Sequence, residues 1–281
     1  MTRSARRTGG YRPTLRIAGA GAAALLALTA CSDSDSDSDS ASDSDPGSGK
    51  GGESGEVSGE VTVFAAASLT ESFEELGAQF EEDHPGAKVT FSFGGSDALA
   101  ASITGGAPAD VFASASPTTM EIVTDAGAAA GTPETFVRNQ LEIATLPGNP
   151  DGIASLKDLT DSGLKVVLCD ETVPCGSAAQ KALDAGALTL TPVSYEEDVK
   201  SALNKVVLKE ADAAVVYKTD VRAAGDTVEG VDFPESADAI NDYPITLLKE
   251  APNAAAAEAF VELVQSAEGQ KVLTGAGFLK P

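Results

Sequence analysis

The sequence predicts an α/β protein with two mainly parallel β-sheets, helices on both faces of each sheet, and a ligand cleft between two lobes. Three observations lead to this fold class. Short apolar segments of strand length alternate with segments whose apolar residues recur at helical spacing. Turns rich in glycine and proline separate these segments. The alternation then begins a second time near Arg138, which gives the chain enough strands for two sheets.

The first strand and helix lie at residues 61–73. The strand half is mostly apolar and suits a buried strand of a parallel sheet. Ser68 followed by Glu71 fits a capping box, so a helix is predicted to begin there. Such a junction places a hydroxyl and free backbone N–H groups at the carboxyl end of the sheet, where anions bind. An ordinary strand–helix unit without a ligand is the alternative.

The first round of elements continues to residue 126. Strands are predicted at 88–93 and 110–113, and a helix carrying Leu99 and Ile103 lies between them. A further helix is predicted at 118–126. Ser96 follows two glycines at a strand-to-helix turn, in the same position as Ser68. It belongs either to a second anion-binding turn or to an ordinary glycine turn.

The second round predicts four more strands and five helices. The strands lie at 140–146, 165–169, 213–217 and 243–248. The helices lie at 155–159, 176–185, 195–208, 253–266 and 269–274, the third with a Ser194…Glu197 capping box. Two sheets indicate two lobes whose sites face the cleft from the carboxyl ends of the strands. Tyr217 ends one of these strands, either as a core residue or as a ligand donor.

Residues 1–30 are typical of a signal peptide rather than of a folded domain. A basic segment without acids precedes an apolar segment at 17–30 that is too short for a membrane span. The sequence Leu-Thr-Ala-Cys resembles the lipobox of bacterial lipoproteins, so Cys31 is predicted to carry a lipid anchor; a plain signal peptide is the alternative. Residues 31–60, rich in Ser, Asp and Gly, predict a disordered tether outside the cell membrane.

The formal net charge of −24 argues against nucleic acid as a partner. The same charge does not exclude an anionic ligand, because physiological salt screens surface charges beyond about 8 Å. A buried anion responds mainly to the dipoles that touch it.

Cys169 and Cys175 lie close together in an exported chain, which favours a disulfide over metal ligands or a nucleophile. The single histidine, His84, disfavours a structural zinc site. His84 lies in His-Pro-Gly and is expected to be an exposed turn residue. It is also the one candidate base for a Ser–His or Cys–His pair, so a secreted hydrolase remains an alternative.

Several segments together resemble the substrate-binding protein of molybdate ABC transporters. They are 61–70 (VTVFAAASLT), 93–96 (FGGS), 106–112 (GAPADVF), 173–176 (VPCG), 197–199 (EDV) and 215–217 (VVY). The resemblance covers residues 61–281. It implies a two-lobed periplasmic-binding-protein fold in which lobe 1 is formed by 61–140 and 241–281, and lobe 2 by 141–240.

By the same resemblance, an oxyanion is held by the hydroxyls of Ser68, Ser96 and Tyr217 and by the backbone N–H groups of Ser68, Ser96, Cys175 and Val199. Many relatives have a small residue in place of Cys175. A disulfide between Cys175 and Cys169 would fix the loop that carries Cys175. A helix that begins at residue 195 would place Val199 beyond the free N–H groups.

The resemblance therefore implies a binding protein and not an enzyme. It implies a lipid-anchored, monomeric component of an ABC importer that delivers molybdate or tungstate to a permease. Molybdenum would be bound as the oxyanion molybdate by the residues named above. The resemblance implies no cofactor. The same fold binding sulfate, phosphate or ferric ion is the nearest alternative.

Overall fold

A computed structural model describes residues 57–281 of the chain. The predicted signal peptide at 1–30, the predicted lipidation site Cys31 and the part of the predicted tether up to residue 56 lie outside the described residues. The first strand begins at Ser58, within the last residues assigned to the tether. Within 57–281, no helix has the length and apolar character needed to cross a membrane.

The first sheet has five strands in the order β2-β1-β3-β10-β4. They are β1 (Ser58–Ala66), β2 (Gly86–Gly94), β3 (Val111–Ala113), β4 (Glu134–Asn139) and β10 (Asn241–Leu247). β1 pairs in parallel with β2 and β3, whereas β10 is antiparallel to both of its neighbours. Four strands therefore point the same way and one is reversed.

The second sheet has the same plan in the order β7-β6-β8-β5-β9. Its strands are β5 (Leu141–Thr145), β6 (Val166–Cys169), β7 (Ser194–Glu196), β8 (Ala213–Tyr217) and β9 (Glu229–Val231). β6 is parallel to β7 and β8, and β5 is the reversed strand. The predicted fold class, with two mainly parallel sheets, is confirmed.

Eight α-helices connect and cover the strands within the described residues. They are α1 (Thr70–Asp83), α2 (Ser96–Thr104), α3 (Pro117–Asp125), α4 (Pro174–Ala185), α5 (Val199–Val207), α6 (Lys218–Ala224), α7 (Ala254–Gln265) and α8 (Ala267–Ala276). Four 3₁₀ turns lie at Ala67–Leu69, Leu156–Thr160, Gly225–Thr227 and Pro234–Ala239. The sequence did not indicate β4, β7, β9 or α6.

An aromatic cluster holds α1 against the first sheet. Phe73 and Phe80, two turns apart on α1, are buried, as their helical spacing predicted. The Phe73 ring packs against Phe91 and Phe136 at centroid distances of 6.2 and 5.9 Å. The edge of Phe260 on α7 meets both helix residues at 6.0 and 5.6 Å. This packing fixes α1, and with it the junction that carries Ser68.

The chain passes between the two sheets twice, and the two crossing segments lie side by side. β4 ends at Asn139 and β5 begins at Leu141. The chain returns to the first sheet when β10 begins at Asn241. Asn139 and Asn241 face each other in the β4–β10 ladder. A site between the sheets therefore lies next to both crossings.

Candidate functional site

A small cavity lies where elements of the two sheets meet. Its open space is about 20 Å³, traced by the centre of a water-sized sphere. All five ligand-binding residues expected from the resemblance line this cavity: Ser68, Ser96, Cys175, Val199 and Tyr217. The remaining lining residues are Ala66, Ala67, Gly94, Gly95, Ala115, Val173, Pro174 and Asp198. The cavity is small, and residues from elements of both sheets line it.

Ser68 reaches the cavity from a 3₁₀ turn rather than from a helix cap. The turn at Ala67–Leu69 delays the start of α1 to Thr70, and Leu69 precedes that helix without a side-chain cap. The predicted capping box of Ser68 and Glu71 is therefore wrong. The Oγ atom of Ser68 instead lies 2.8 Å from the hydroxyl of Tyr243, in a buried hydrogen bond.

Ser96 is the first residue of α2, directly after β2 and the two glycines. Its side chain is buried, and its Oγ accepts a hydrogen bond from the backbone N–H of Ala115 at 3.0 Å. A hydroxyl oxygen that accepts from an N–H group keeps its own proton for another acceptor. The Ser96 hydroxyl can therefore donate into the cavity.

Cys175 and Val199 bring backbone donors from the second sheet. Cys175 is the second residue of α4, and Val199 is the first residue of α5. The first N–H groups of an α-helix have no partner within the helix, and the helix dipole favours an anion there. Both residues therefore present N–H groups and need no particular side chain.

The start of α5 differs from its prediction. Ser194–Glu196 forms β7, so the predicted helix from residue 195 and its Ser194…Glu197 capping box are wrong. The cap is Asp198, whose Oδ1 accepts the backbone N–H of Ser201 at 2.9 Å. Because the helix starts later than predicted, Val199 lies in its first turn and not beyond the free N–H groups.

Tyr217 ends β8 and lines the cavity from the second sheet. The amide of Asn241 donates to this hydroxyl at 2.7 Å. Burial raises the pKa of Tyr217 well above its usual value of 10, and the neighbouring Tyr243 adds to the effect. The phenol therefore keeps its proton at every physiological pH and remains a hydrogen-bond donor.

A disulfide joins Cys169 at the end of β6 to Cys175 in the first turn of α4, with a Cα–Cα distance of 5.8 Å. It closes the short loop that leads into α4. The bond holds the backbone of Cys175 at a fixed distance from the second sheet. This position matters because Cys175 lines the cavity in the first turn of α4.

A charge cluster whose one fully buried member is Asp220 lies near the starts of α1, α5 and α6. Lys200 Nζ is 2.7 Å from Glu71 on α1 and 3.2 Å from Asp220 on α6, so it links elements of the two sheets. The Asp220 contact is an ion pair without hydrogen-bond geometry at Oδ1. Burial raises the pKa of Asp220 to about 6, although Lys200 acts in the opposite direction. Burial alone would lower the pKa of Lys200, but Asp220 and Glu71 outweigh it and raise that pKa.

The polar side chains that line the cavity are three hydroxyls and one carboxylate, and the other lining residues are small or apolar. The one charged lining residue, Asp198, has both carboxylate oxygens occupied by Ser201, through the N–H at 2.9 Å and the hydroxyl at 3.0 Å. Hydroxyl and N–H donors that converge on a small space stabilise an anion by charge-assisted hydrogen bonds. Across residues 57–281, no cluster of three His, Cys, Asp or Glu side chains could hold a metal cation.

The geometry does not support the hydrolase alternative. His84 follows the last residue of α1, whereas Ser68 precedes the first. α1 has 14 residues, which at about 1.5 Å per residue separates its two ends by roughly 20 Å. The ring of His84 packs on Phe80 at 4.7 Å. A hydrogen bond between His84 and Ser68 is therefore impossible in this structure.

Three polar residues around the cavity were not indicated by the sequence. Tyr243 contacts Ser68, Asn241 contacts Tyr217, and Asn139 contacts Tyr243 at 3.4 Å. All three are buried. Tyr243 lay in a predicted strand, and nothing in its neighbours showed that it would meet a residue 175 positions away. No local signal could have identified this contact.

A family model described as bacterial extracellular solute-binding protein matches residues 61–279. The molybdate-binding protein ModA of Mycobacterium tuberculosis is 45% identical over 221 residues, which cover 79% of this chain and 85% of the relative. ModA of Escherichia coli is 33% identical over 230 residues, covering 78% of this chain and 89% of the relative.

Two solved structures share the fold at lower identity. The periplasmic molybdate-binding protein of Azotobacter vinelandii superposes with a TM-score of 0.69 at 22% identity, covering 79% of this chain and 99% of that one. The sulfate-binding protein SubI of Mycobacterium tuberculosis gives a TM-score of 0.66 at 19% identity, with coverage of 78% and 86%. At these identities the two structures bear on the fold alone.

Proposed function

This chain belongs to the family of bacterial extracellular solute-binding proteins, and we propose that it binds molybdate or tungstate for an ABC importer. The observation that carries the proposal is the donor-lined cavity, to which both sheets contribute hydroxyls and helix N-terminal N–H groups. The relatives named molybdate-binding proteins support the choice of oxyanion. The chain performs no catalysis; it captures the ion and delivers it to a membrane permease.

We propose that the two lobes are 61–140 with 241–281, and 141–240, and that they hold the ion between them. Ser68 and Ser96 act from lobe 1, and Cys175, Val199 and Tyr217 from lobe 2. A tetrahedral dianion needs donors from several directions, and this division supplies them only when the lobes meet. Molybdate and tungstate share size and shape, so one cavity accepts both.

Thermal unfolding with different oxyanions tests the proposed ligand. Molybdate and tungstate are expected to raise the melting temperature, because a ligand at a hundred times its Kd stabilises the native state by about 2.7 kcal/mol. Sulfate at the same concentration is expected to give little or no shift. It is the informative control, because a sulfate-binding protein shares this fold. A sulfate shift as large as that of molybdate would refute the substrate assignment.

Gly95 gives a test of lobe closure. A Cβ atom at this position would lie 2.5 Å from the backbone oxygen of Glu197, just before α5 in the other lobe. Gly95→Ala should therefore hold the lobes apart and weaken molybdate binding. Overpacking typically costs about 1–3 kcal/mol, which is roughly 5- to 150-fold in Kd. Isothermal titration calorimetry measures this loss.

Gly94→Ala is the matched control, because a Cβ at Gly94 meets only the Leu99 side chain, at 4.0 Å. Gly94→Ala should bind molybdate with an affinity close to that of wild type. Melting curves of both variants without ligand report any cost to the fold itself, because a Cβ at Gly95 would also lie 2.7 Å from the Asp97 carboxylate. Equal affinities for the two variants would show that the approach of Gly95 to Glu197 does not limit binding.

We further propose that Cys31 carries a lipid and that residues 31–60 tether a monomeric binding domain to the outer face of the cell membrane. The cysteine after Leu-Thr-Ala and the acidic, apolar-poor segment behind it support this proposal. Cys31→Ser should release the protein from the membrane fraction into the medium. Equal membrane retention of the two forms, compared by fractionation, would contradict it.

A further inference from the structure

Each of the three hydroxyls at the cavity is engaged by a second protein group behind it. Ser96 accepts from the Ala115 N–H group, Tyr217 accepts from Asn241 at 2.7 Å, and Ser68 lies 2.8 Å from the Tyr243 hydroxyl. The direction of these bonds decides what the cavity offers. A hydroxyl that accepts from behind donates its own proton forward, and one that donates behind presents lone pairs to the ligand.

The direction of the Asn241 bond follows from a second contact. Its Nδ2 also lies 3.2 Å from the backbone oxygen of Pro174. A carbonyl oxygen can only accept, so the NH₂ side of the amide must face both Pro174 and Tyr217. The Tyr217 oxygen is therefore an acceptor toward Asn241. Its proton is then free to be donated, and the acceptors beside it are an anion in the cavity and the neighbouring Tyr243 hydroxyl.

The same reasoning extends to Ser68. The Oδ1 of Asn139 accepts the N–H of Gln140 at 3.0 Å, a group that can only donate, and this fixes the amide of Asn139. Its Nδ2 then donates to Thr219 at 2.8 Å and, over a longer 3.4 Å, to the Tyr243 hydroxyl. Tyr243 accepts from Asn139, so its own proton is available to the Oγ atom of Ser68; either oxygen can donate in this contact, and the proposal takes Tyr243 as the donor. In that direction the proton of Ser68 is left for the cavity.

We propose that Asn241 and Tyr243 are positioning residues that orient the hydroxyls of Tyr217 and Ser68 as donors to the bound oxyanion. The inference rests on the proposed function and adds two residues that do not line the cavity. Asn241 and its ladder partner Asn139 lie where the chain crosses between the sheets. The crossing segments thus orient one donor hydroxyl on each lobe.

Two double-mutant cycles test the proposal with molybdate titrations. Tyr243→Phe removes one oxygen atom and keeps the ring that packs against Tyr217 and Phe278. It should weaken molybdate binding by about 2- to 12-fold, the range for one neutral hydrogen bond. In a Ser68→Ala background the same change should have less than about a twofold effect, because the hydroxyl that it orients is gone.

The second cycle combines Asn241→Leu with Tyr217→Phe. Asn241→Leu should weaken binding alone, and its effect should shrink in the Tyr217→Phe background. A purely structural role would lower stability and affinity equally in both backgrounds, so the coupling in Kd separates the two roles. Melting curves without ligand report the structural part. Tyr195→Phe and Asn204→Leu, both at exposed positions, are matched controls that should leave Kd unchanged.

The outcomes are distinct. Coupling in the Tyr243–Ser68 cycle supports the inference even if Asn241→Leu does not fold. Additive effects in that cycle would overturn it while leaving the proposed function intact. Failure of the wild-type protein to bind molybdate at all would overturn both the inference and the proposed function.

Discussion

Replacing both Ser68 and Ser96 by alanine is expected to weaken molybdate binding by roughly 10²- to 10⁴-fold. Each change removes one hydroxyl donor to a dianion and leaves the backbone N–H of the same residue in place. A hydrogen bond to a charged group contributes about 1.5–3 kcal/mol, so each single variant should lose about ten- to a hundredfold in Kd. Isothermal titration of the two single variants and the double variant measures these losses.

The two serines should differ in the unliganded protein. Ser68→Ala removes a buried hydrogen bond to Tyr243 and should lower stability by about 1 kcal/mol. Ser96→Ala leaves the buried N–H of Ala115 without its acceptor, which costs about 1–3 kcal/mol. Melting curves without ligand separate this effect from affinity.

Ser102→Ala is a suitable control, because Ser102 is an exposed residue of the same helix as Ser96 and bonds only to the backbone of Ala98. It should change neither affinity nor stability appreciably. If Ser68→Ala and Ser96→Ala both bound molybdate as wild type does, with only their stability lowered, these serines would be structural and the binding site would lie elsewhere.

The sequence predicted the interior strands of both sheets and missed several strands at the edges. β4, β7 and β9, none of which was predicted, each form an edge of a sheet. An edge strand pairs on one side only and buries fewer side chains; β7, for example, has no fully buried residue. Hydrophobic patterning reports burial, so strands such as β6 and β8, with every residue buried, were evident.

The residues of the candidate site also fall into two groups, those that the sequence pattern indicated and those that it did not. Ser68 and Ser96 were accessible to sequence reasoning, because a hydroxyl between an apolar strand and an amphipathic helix has a recognisable pattern. Cys175 and Val199 are expected to contribute backbone N–H groups, and a backbone donor leaves no trace in residue type. They could be placed only through family resemblance.

The capping errors have one physical origin. Ser68 and Ser194 each precede an acidic residue by three positions, and this pattern is only one of several that can begin a helix. At Ser68, a 3₁₀ turn intervenes and the hydroxyl bonds to Tyr243 instead. At Ser194, pairing of β7 with β6 holds the backbone extended until Asp198. In both cases tertiary contacts outweighed the local signal.

Lys200→Met is expected to destabilise the protein strongly at pH 8 and much less at pH 5. The change keeps most of the side-chain volume and removes the cation that compensates the fully buried carboxylate of Asp220. Leaving a buried charge without its partner costs roughly 3–5 kcal/mol, which is the upper bound expected at pH 8. Urea denaturation at the two pH values measures the difference.

The pH dependence follows from the pKa of Asp220, which burial raises to about 6 from a usual value of 3.8. The folded state then binds the proton more tightly than the unfolded state, so stability is lost as pH rises through 6. Lys200 lowers this pKa, so its removal moves the loss to still higher pH. Near pH 5 the carboxyl is largely protonated in both proteins, and Lys200 then contributes little.

Lys205→Met on the same helix is the matched control, because Lys205 pairs with Glu210 at 2.9 Å on the exposed surface. Solvent-exposed pairs contribute little to stability, so this variant should resemble wild type at both pH values. A Lys200→Met deficit of equal size at pH 5 and pH 8 would mean that the ionised Asp220 is not its cause. Loss of the Lys200–Glu71 ion pair should additionally weaken molybdate binding, because this pair joins α1, which follows a strand of the first sheet, to α5 of the second.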